Sequence, residues 1–292
     1  MAGALKVAPG TKVHLGDLDP GDTGSATKKG AAAHFATLDS RLGELQELLY
    51  AAHQHAVLVV LQGLDTSGKD GTIRHVMRSV NPQGVRVESF KVPTLEEASH
   101  DFLWRAHRVA PPLGTMTIFN RSYFEDVLVV RVHGLVPERV WRPRYDQINQ
   151  FEALLAASGT IIVKFYLHLS KKEQYERLMA REDEPEKTWK LSPQDWVERR
   201  SWDAYVGAYD DALTKCSTEA APWYVIPSDH KWYRNLLIAQ TLVDVLEPHA
   251  KAWRRHLAEL GRNVLAEVQN ERQGEETVPG KETGRKQSTP TD

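Results

Sequence analysis

One stretch restricts the fold of this chain more than any other. The apolar run AVLVVLQ (56–62) leads directly into GLDTSGKDGT (63–72). A short, continuous run of β-branched residues and leucine is typical of a strand that is buried on both faces of a parallel sheet. The G-x-x-x-x-G-K pattern that follows leads into a segment with helical spacing, so both contexts that this pattern requires are present. The stretch therefore predicts a phosphate-binding loop between a strand and a helix.

The rest of the chain alternates between strand-like and helical segments. Besides 56–62, strands are expected at 84–90, 114–120, 160–169 and 223–228. Helices are expected at 32–54, about 72–80, 95–110, 144–158, 170–182 and 232–247, with 122–131 helical or mixed. Because no hairpin signals join the strands, the pattern predicts right-handed βαβ units. The expected fold class is α/β, with helices on a central parallel sheet of about five strands.

Segments outside this alternation set the expected boundaries. Residues 1–30 are rich in Gly, Pro, Asp and Thr and are expected to form an irregular arm before a phosphate-loop domain at 31–250. Within that domain, a charged and Trp-rich stretch predicts a mobile lid at about 182–202. Residues 262–292 show almost no apolar periodicity, so a disordered tail is expected there.

The composition argues against several classes of protein. The chain has 292 residues, and its formal net charge of −2 argues against binding nucleic acid through a global positive field. No run of about 18 apolar residues and no secretory signal is visible, so no membrane association is expected. The single cysteine, Cys216, excludes an internal disulfide and is expected to be a buried thiol. These features predict a cytoplasmic protein.

The loop at 63–72 suggests how an anion would be bound. Its glycines allow backbone N–H groups to point at phosphate oxygens, the helix N-terminus adds partial positive charge, and Lys69 adds a full charge. The candidate phosphate- and nucleotide-binding residues here are Gly63, Thr66, Ser67, Gly68, Lys69, Asp70, Gly71 and Thr72. A purely structural glycine turn is the alternative. Asp70 stands where a Ser or Thr is usual, and it would complement the helix dipole there.

A second polar group follows another strand, in IFNRSYFEDVLVVRVH (118–133). Asn120 and Arg121 would enter the same crevice as the loop, because ligands of such sheets lie at the carboxyl ends of the strands. Arg121 offers a planar donor fork that suits phosphate oxygens, with an ion pair to Asp65 or Glu125 as the alternative. Glu125 and Asp126 would either bind a magnesium ion or form ion pairs.

Basic residues are spread over several other segments. The candidates for binding a polyanion are Arg74, Arg78, Lys91, Arg131, Arg177, Arg181, Lys187 and Lys190. Each could equally belong to a solvated charged surface. Arg177 and Arg181 lie four residues apart and would present two cations on one helix face. The tryptophans at 189, 196 and 202 would either stack on a base or pack the lid, and packing is favoured.

Together, GLDTSGKDGT, FNRSYFEDVLVVRVHGLVP and APWYVIPSDHKWYRN resemble the family-2 polyphosphate kinases over roughly residues 30–250. The N-R-S-aromatic-aromatic-E-D-V-L form is similar to the subgroup that acts on both nucleoside mono- and diphosphates. The resemblance implies a three-layer phosphate-loop kinase fold, with a thymidylate-kinase-like core and a helical lid. In the lid, Thr188 replaces a cation of the commoner family pattern.

The resemblance also implies an activity and site residues. The activity is reversible phosphoryl transfer between inorganic polyphosphate and AMP or ADP, with guanine nucleotides as further candidates. The catalytic residues would be Asp65, Lys69 and Arg121, and the lid cations Arg181, Lys187 and Lys190. The implied cofactor is Mg²⁺, with Mn²⁺ as a substitute, held by Asp65 and Glu125. By family analogy the partner is a second copy of the chain, in a homodimer or homotetramer.

Two other functions share these motifs. An ATP-dependent nucleoside or nucleoside-monophosphate kinase would have the same loop and lid. A nucleotide-binding switch protein would use the loop without efficient turnover, but the sequence shows no recognisable switch motif. Formation of ATP from ADP with polyphosphate as the sole donor distinguishes the polyphosphate-dependent enzyme from the ATP-dependent kinase, and a turnover assay distinguishes the switch protein.

Overall fold

A single mixed sheet forms the centre of the protein, for which a computed structural model describes residues 4–183, 188 and 192–276. Its strand order is β1-β6-β5-β2-β4-β3. All neighbouring strands run parallel except β1, which pairs with β6 in the antiparallel sense. The strands are β1 (Leu5–Lys6), β2 (Ala56–Gln62), β3 (Val85–Ser89), β4 (Met116–Asn120), β5 (Thr160–His168) and β6 (Trp223–Pro227).

Helices cover both faces of this sheet. In chain order they are α1 (Lys28–Ala52), α2 (Lys69–Val76), α3 (Leu95–Ala98), α4 (Trp104–Arg108), α5 (Val129–Val132), α6 (Glu138–Trp141), α7 (Arg144–Ala157), α8 (Lys171–Asp183), α9 (Pro193–Arg200), α10 (Trp202–Lys215) and α11 (Lys231–Glu276). Short 3₁₀ turns occur at Leu15–Asp17, Pro82–Gly84 and Tyr123–Asp126. None of the helices in the described ranges combines the length and apolar character that a membrane span requires.

The central strand shows why the fold has three layers. Every residue of β2 is buried. Val57, Val59 and Leu61 pack on the side of α1 and α11, whereas Leu58 and Val60 pack on the side of α7 and α10. Fully burying each such side chain contributes about 1.5–3 kcal/mol, so two cores on opposite faces hold the sheet between helix layers. The predicted α/β fold is confirmed, and all five predicted strands are present.

Both termini differ from expectation. The N-terminal arm supplies the sixth strand, where Leu5 pairs with Val225, and its register continues in a bond from the Val7 amide to the Trp223 carbonyl. At the other end, residues 262–276 continue α11 instead of forming a disordered tail. The residues Leu260, Val264 and Val268, spaced by four, extend the helical pattern beyond the core, although they remain exposed. Residues 277–292 lie outside the described part.

The lid contains helix α9 between the ends of α8 and α10. The Ser192 hydroxyl caps α9 by accepting from the Gln194 amide, and Pro193 follows at the first helical position. Trp196 packs edge-on against Tyr175 of α8, with 5.7 Å between ring centroids, in agreement with the favoured packing role. Residues 184–187 and 189–191, and with them Lys187, Trp189 and Lys190, lie outside the described residues.

Candidate active site

The predicted phosphate loop, residues 63–72, lies at the carboxyl end of β2, where the sequence places it. Gly68 immediately precedes α2 and has φ of +99°, and Gly63 has φ of +153°. A Cβ on Gly63 would lie 2.9 Å from the Leu167 carbonyl oxygen, so the loop needs glycine here for space as well as for conformation. Thr66 adopts φ of +64°, which is uncommon for a residue with a side chain. The loop is therefore held in a conformation that its surroundings must stabilise.

Lys69 folds back over this loop. Its ammonium donates to the carbonyl oxygens of Gly63 at 2.7 Å and Leu64 at 3.2 Å, and its side chain is buried. Burial, reinforced by the charge of Arg121, lowers the pKa of Lys69 to about 8. A phosphate placed in the loop would offer this ammonium stronger, charged acceptors than the two carbonyls.

Arg121 lies between two carboxylates at the end of β4. Its guanidinium is 2.5 Å from Asp65 and 3.9 Å from Glu125, so the ion pairs expected as the alternative do form. The residue has φ of +61°, and its amide donates to the Leu61 carbonyl of the neighbouring strand at 3.0 Å. Burial acts to lower the pKa of Arg121, but the carboxylates of Glu125 and Asp65 outweigh it and raise the pKa. The fork is thus positioned by the backbone and held in place by both acids.

Asn120 and Asp70 contact each other across the same edge of the sheet. The Asn120 amide donates to the Asp70 carboxylate at 2.7 Å. Asp70 occupies the first turn of α2, where its charge complements the helix dipole as expected. The contact connects the loop helix to the end of β4.

Asp65 and Glu125 meet the requirement for holding magnesium together with a ligand. Both carboxylates converge on Arg121, and the Gln62 amide orients Glu125 at 3.2 Å. The described part of the chain contains no cluster of three or more His, Cys, Asp or Glu side chains that could bind a metal alone. Magnesium in phosphoryl-transfer sites commonly takes one or two carboxylates and completes its shell with phosphate oxygens and water. The two acids fit that mode of binding and do not form a complete protein cage.

Two clefts meet at the Asp65–Arg121 ion pair. One, of about 560 Å³, lies over the phosphate loop and is also lined by Lys69, Lys91 and Arg181. The second, of about 490 Å³, lies under the lid helices α9 and α10. Asp65, Arg121 and Asp195 line both clefts. The site can therefore hold two ligands whose ends approach one another at Arg121.

The second cleft differs in character from the first. Trp202, Tyr205 and Tyr209 of α10 line it. Tyr205 donates to Glu198 of α9 at 2.6 Å, and the same carboxylate lies 2.8 Å from the His133 ring. Flat aromatic side chains bounded by polar groups suit a base and a sugar better than a chain of phosphates.

The predicted polyanion-binding residues divide into two groups. Lys91 and Arg181 line the cleft over the loop, and Arg181 also bridges to Asp195 at 2.9 Å. Arg74 is exposed on α2 but lines neither cleft. Arg78 pairs with Asp39 of α1 at 2.8 Å, and Arg131 pairs with Asp211 of α10 at 2.6 Å. Neither side chain extends into the clefts.

Arg177 is also placed differently from the expected double cation. It lies beneath the loop, where one Nη atom donates to the Thr66 carbonyl at 3.0 Å and the other to the Ser228 carbonyl at 2.7 Å. Its Nε atom bonds Glu173 at 2.8 Å. The donors of Arg177 are therefore engaged by the protein, whereas Arg181 faces the cleft.

Asp126 does not belong to the site. It is buried, with Arg144 at 3.2 Å and Arg105 at 3.5 Å from its carboxylate. Burial raises the pKa of Asp126 despite these two cations. Of the two roles considered for this residue, the ion pair is the one that the structure shows. Cys216 is buried, as predicted.

Comparison with known proteins assigns the chain to a family. Residues 25–254 match the family described as Polyphosphate kinase 2 (PPK2). The chain belongs to this family. The AMP/ADP-polyphosphate phosphotransferase of Meiothermus ruber is 53% identical over 244 residues, which are 83% of this chain and 91% of that protein. The ADP-polyphosphate phosphotransferase of Rhodopseudomonas palustris is 46% identical over 256 residues, or 83% and 89% of the two chains.

A solved structure supports the same family assignment. A crystal structure of Polyphosphate Kinase 2 from Arthrobacter aurescens TC1 superposes with a TM-score of 0.81 at 43% identity, covering 85% of this chain and 91% of that chain. The family resemblance recognised from the sequence motifs is confirmed.

Arg234 lies at the loop, although no sequence motif predicts it as a site residue. Arg234 of α11 lies with its guanidinium against Gly68, and its Nη1 atom donates to the Ser67 carbonyl at 3.0 Å. The segment APWYVIPSDHKWYRN carries Arg234 and contributed to the family resemblance, but nothing in its local pattern shows that α11 returns to the loop 167 residues away.

Proposed function

We propose that this protein is a polyphosphate-dependent nucleotide kinase that transfers a phosphoryl group reversibly between inorganic polyphosphate and AMP or ADP. The observation that carries the proposal is the pair of clefts that meet at Asp65 and Arg121. The similar protein from Meiothermus ruber is an AMP/ADP-polyphosphate phosphotransferase, which supports both acceptors, and that from Rhodopseudomonas palustris is an ADP-polyphosphate phosphotransferase, which supports ADP.

The character of each cleft supports an assignment of the two substrates. The cleft over the phosphate loop brings Lys69, Lys91 and Arg181 together and suits polyphosphate, because each residue is a cation that can contact a phosphate along the chain. The cleft under α10 suits the nucleoside, because Trp202 and Tyr205 offer aromatic surface for the base. The reacting phosphates would then face each other at Arg121.

Phosphoryl transfer depends mainly on in-line positioning and on neutralising charge. The loop amides and Lys69 would bind one reacting phosphate, and Arg121 would bind oxygens of the group in transfer with its planar fork. Asp65 would release Arg121 to the phosphates and orient the attacking phosphate oxygen, which is already ionised. Mg²⁺ (or Mn²⁺), when bound by Asp65 and Glu125 together with substrate phosphates, would supply further neutralising charge.

The lid would protect the donor from hydrolysis. Arg181 of α8 and Asp195 of α9 already connect two lid helices at the cleft over the loop. Closure over bound substrates would exclude water from the reacting phosphates. We place the enzyme in the cytoplasm, which holds the nucleotides.

A homodimer or homotetramer remains a proposal from family analogy. An exposed stripe at Leu260, Val264 and Val268 of α11 supports an interface between copies. Light scattering of wild-type protein and of Val264→Glu tests it. A monomeric wild type, or an unchanged mass in the variant, would remove this stripe as the interface.

A matrix of donors and acceptors tests the proposed activity. Purified protein and Mg²⁺ are combined with either polyphosphate or ATP as donor and with AMP, ADP, GMP, GDP or adenosine as acceptor. The proposal predicts ADP from AMP and ATP from ADP with polyphosphate alone. Turnover only with ATP as donor would instead identify an ATP-dependent kinase, and nucleotide binding without any turnover would identify a switch protein.

A further inference from the structure

Two guanidinium groups lie beneath the phosphate loop and meet at one carbonyl. Arg234 donates to the Ser67 carbonyl at 3.0 Å, and Arg177 approaches the same oxygen at 3.3 Å. The two residues come from α11 and α8, so the far side of the loop is held by two separate helices. These bonds hold the Ser67 carbonyl oxygen pointing toward the two guanidinium groups.

Arg234 differs from Arg177 in its counter-charge. Arg177 pairs with Glu173, whereas no ion pair within the described ranges includes Arg234. The remaining donors of Arg234 bind the neutral amide oxygen of Asn235 at 2.8 and 3.1 Å. Its side chain is only 2% exposed, so water does not balance the charge either. A buried cation without a counter-ion is unfavourable and calls for a compensating anion.

The position of this cation indicates where such an anion would lie. The guanidinium packs against Gly68, and a Cβ on Gly71 would lie 3.8 Å from its Nη2 atom, so it sits behind the first turn of α2. The amino end of a helix is already positive. Burial, and then the charge of Arg177, lower the pKa of Arg234 to about 9, so the group still carries its charge at neutral pH.

We propose that Arg234 is a positioning residue of the phosphate loop, which fixes the Ser67 carbonyl and provides a buried positive charge that is balanced only when a phosphate group binds above the loop. Arg234 touches no substrate in this arrangement. Its charge acts across the thickness of the loop, where the low dielectric of the interior preserves it. The proposal rests on the proposed function, because polyphosphate is the anion that the loop would bind.

The test compares the full-length wild type with Arg234→Gln, Arg234→Lys and Arg41→Gln. Glutamine removes the charge and lysine retains it without the planar fork. Arg41 also contacts α11, through Glu247 at 2.7 Å, so its variant is a control with the same change in charge away from the loop. Binding of inorganic tripolyphosphate is measured by calorimetry without nucleotide, followed by the KM for polyphosphate and the kcat of ATP synthesis.

The expected result is at least a tenfold weaker affinity for tripolyphosphate in Arg234→Gln, with a parallel rise in KM. Arg234→Lys should stay within threefold of wild type, and Arg41→Gln should equal it. A purely structural role would lower thermal stability in both Arg234 variants without separating their affinities. Affinity within threefold of wild type in Arg234→Gln would overturn the inference.

Two further outcomes are also decisive. If Arg234→Gln does not fold, Arg234→Lys carries the test, and a tenfold loss of affinity there would show that charge is not what the position supplies. If wild type itself does not bind tripolyphosphate, the proposed function fails, and the inference fails with it. If wild type binds tripolyphosphate and Arg234→Gln binds it with the same affinity, the inference about Arg234 is wrong and the proposed function is unaffected.

Discussion

Replacing Lys164 by methionine should destabilise the protein, because it breaks a buried ion pair. Lys164 lies in β5 with none of its side chain exposed, and its ammonium is 2.5 Å from Glu152 and 2.6 Å from the Cys216 carbonyl. Glu152 also accepts from the Tyr123 hydroxyl at 2.7 Å. Tyr123 belongs to the 3₁₀ turn that carries Glu125, so the buried pair supports one wall of the active site.

The expected magnitude follows from what would remain. Lys164→Met leaves Glu152 buried with only the Tyr123 hydroxyl, and breaking a buried ion pair on one side costs about 3–5 kcal/mol. Thermal midpoints of folded units of this size shift by about 2–4 °C per kcal/mol. The variant should therefore melt about 6–20 °C below wild type.

The loss should depend on pH with a defined sign. Burial raises the pKa of Glu152, and removal of Lys164 takes away the charge that opposes this rise. A carboxyl with a raised pKa binds more protons in the folded protein than in the unfolded chain, so its contribution declines as pH rises through the folded pKa. The destabilisation by Lys164→Met should thus be smaller at pH 5 than at pH 8.

Urea unfolding of the variants at both pH values measures these effects. The double variant Lys164→Met/Glu152→Leu should recover part of the loss, because no carboxylate is left buried, with about 1–3 kcal/mol remaining for the Tyr123 hydroxyl left without an acceptor. Arg41→Met, which breaks an ion pair that is partly exposed, should cost about 1 kcal/mol or less. A loss below about 1 kcal/mol in Lys164→Met, or a larger loss at pH 5 than at pH 8, would show that Glu152 is not a buried carboxylate held by Lys164.

Other predictions concern the loop and its acids. Asp65→Asn should lower kcat for ATP synthesis by about 100-fold or more, because electrostatic groups at the reacting centre contribute on that scale; activity within a few-fold of wild type would exclude this role. Gly68→Ala should abolish tripolyphosphate binding in calorimetry, since its Cβ would overlap Arg234 and its φ is +99°; retained binding would contradict the geometry. Lys69, with its pKa lowered to about 8 by burial, should lose its proton above that value, so the KM for polyphosphate should rise between pH 8 and 10. The same shift makes stability without ligand increase with pH from about 8 to 10.5, because the unfolded chain holds more protons there. A KM that is flat over this range would show that Lys69 is not the titrating group.

The sequence predicts the parts of this protein whose signal is local. The strand β2, the loop and the start of α2 follow one another in the chain. The hydrophobic run, the glycine spacing and the beginning of the helix therefore all appear in one window of sequence. The strand order then brings Asn120 beside Leu61, which places the second motif next to the first. Local pattern and sheet topology together suffice to locate Arg121.

Long-range contacts explain what the sequence did not show. The spacing of four residues between Arg177 and Arg181 places both on one face of a helix. It does not show that Arg177 contacts the loop while Arg181 lines the cleft, which depends on how α8 packs. β1 has only two residues, both exposed, and a segment this short carries too little pattern to predict its pairing with β6. Arg234 acts on a residue 167 positions away, beyond the reach of any motif.

Direct phosphoryl transfer from polyphosphate to the nucleotide can be followed with an isotopic label. Polyphosphate labelled in its phosphoryl groups is incubated with unlabelled ADP and Mg²⁺ in the absence of ATP, and the label is followed by mass spectrometry of the nucleotide. We expect ATP that carries one labelled phosphoryl group at the γ position, formed in step with shortening of the polyphosphate and lost in Arg121→Ala. Unlabelled ATP, or release of labelled orthophosphate without labelled nucleotide, would contradict direct transfer between the two clefts.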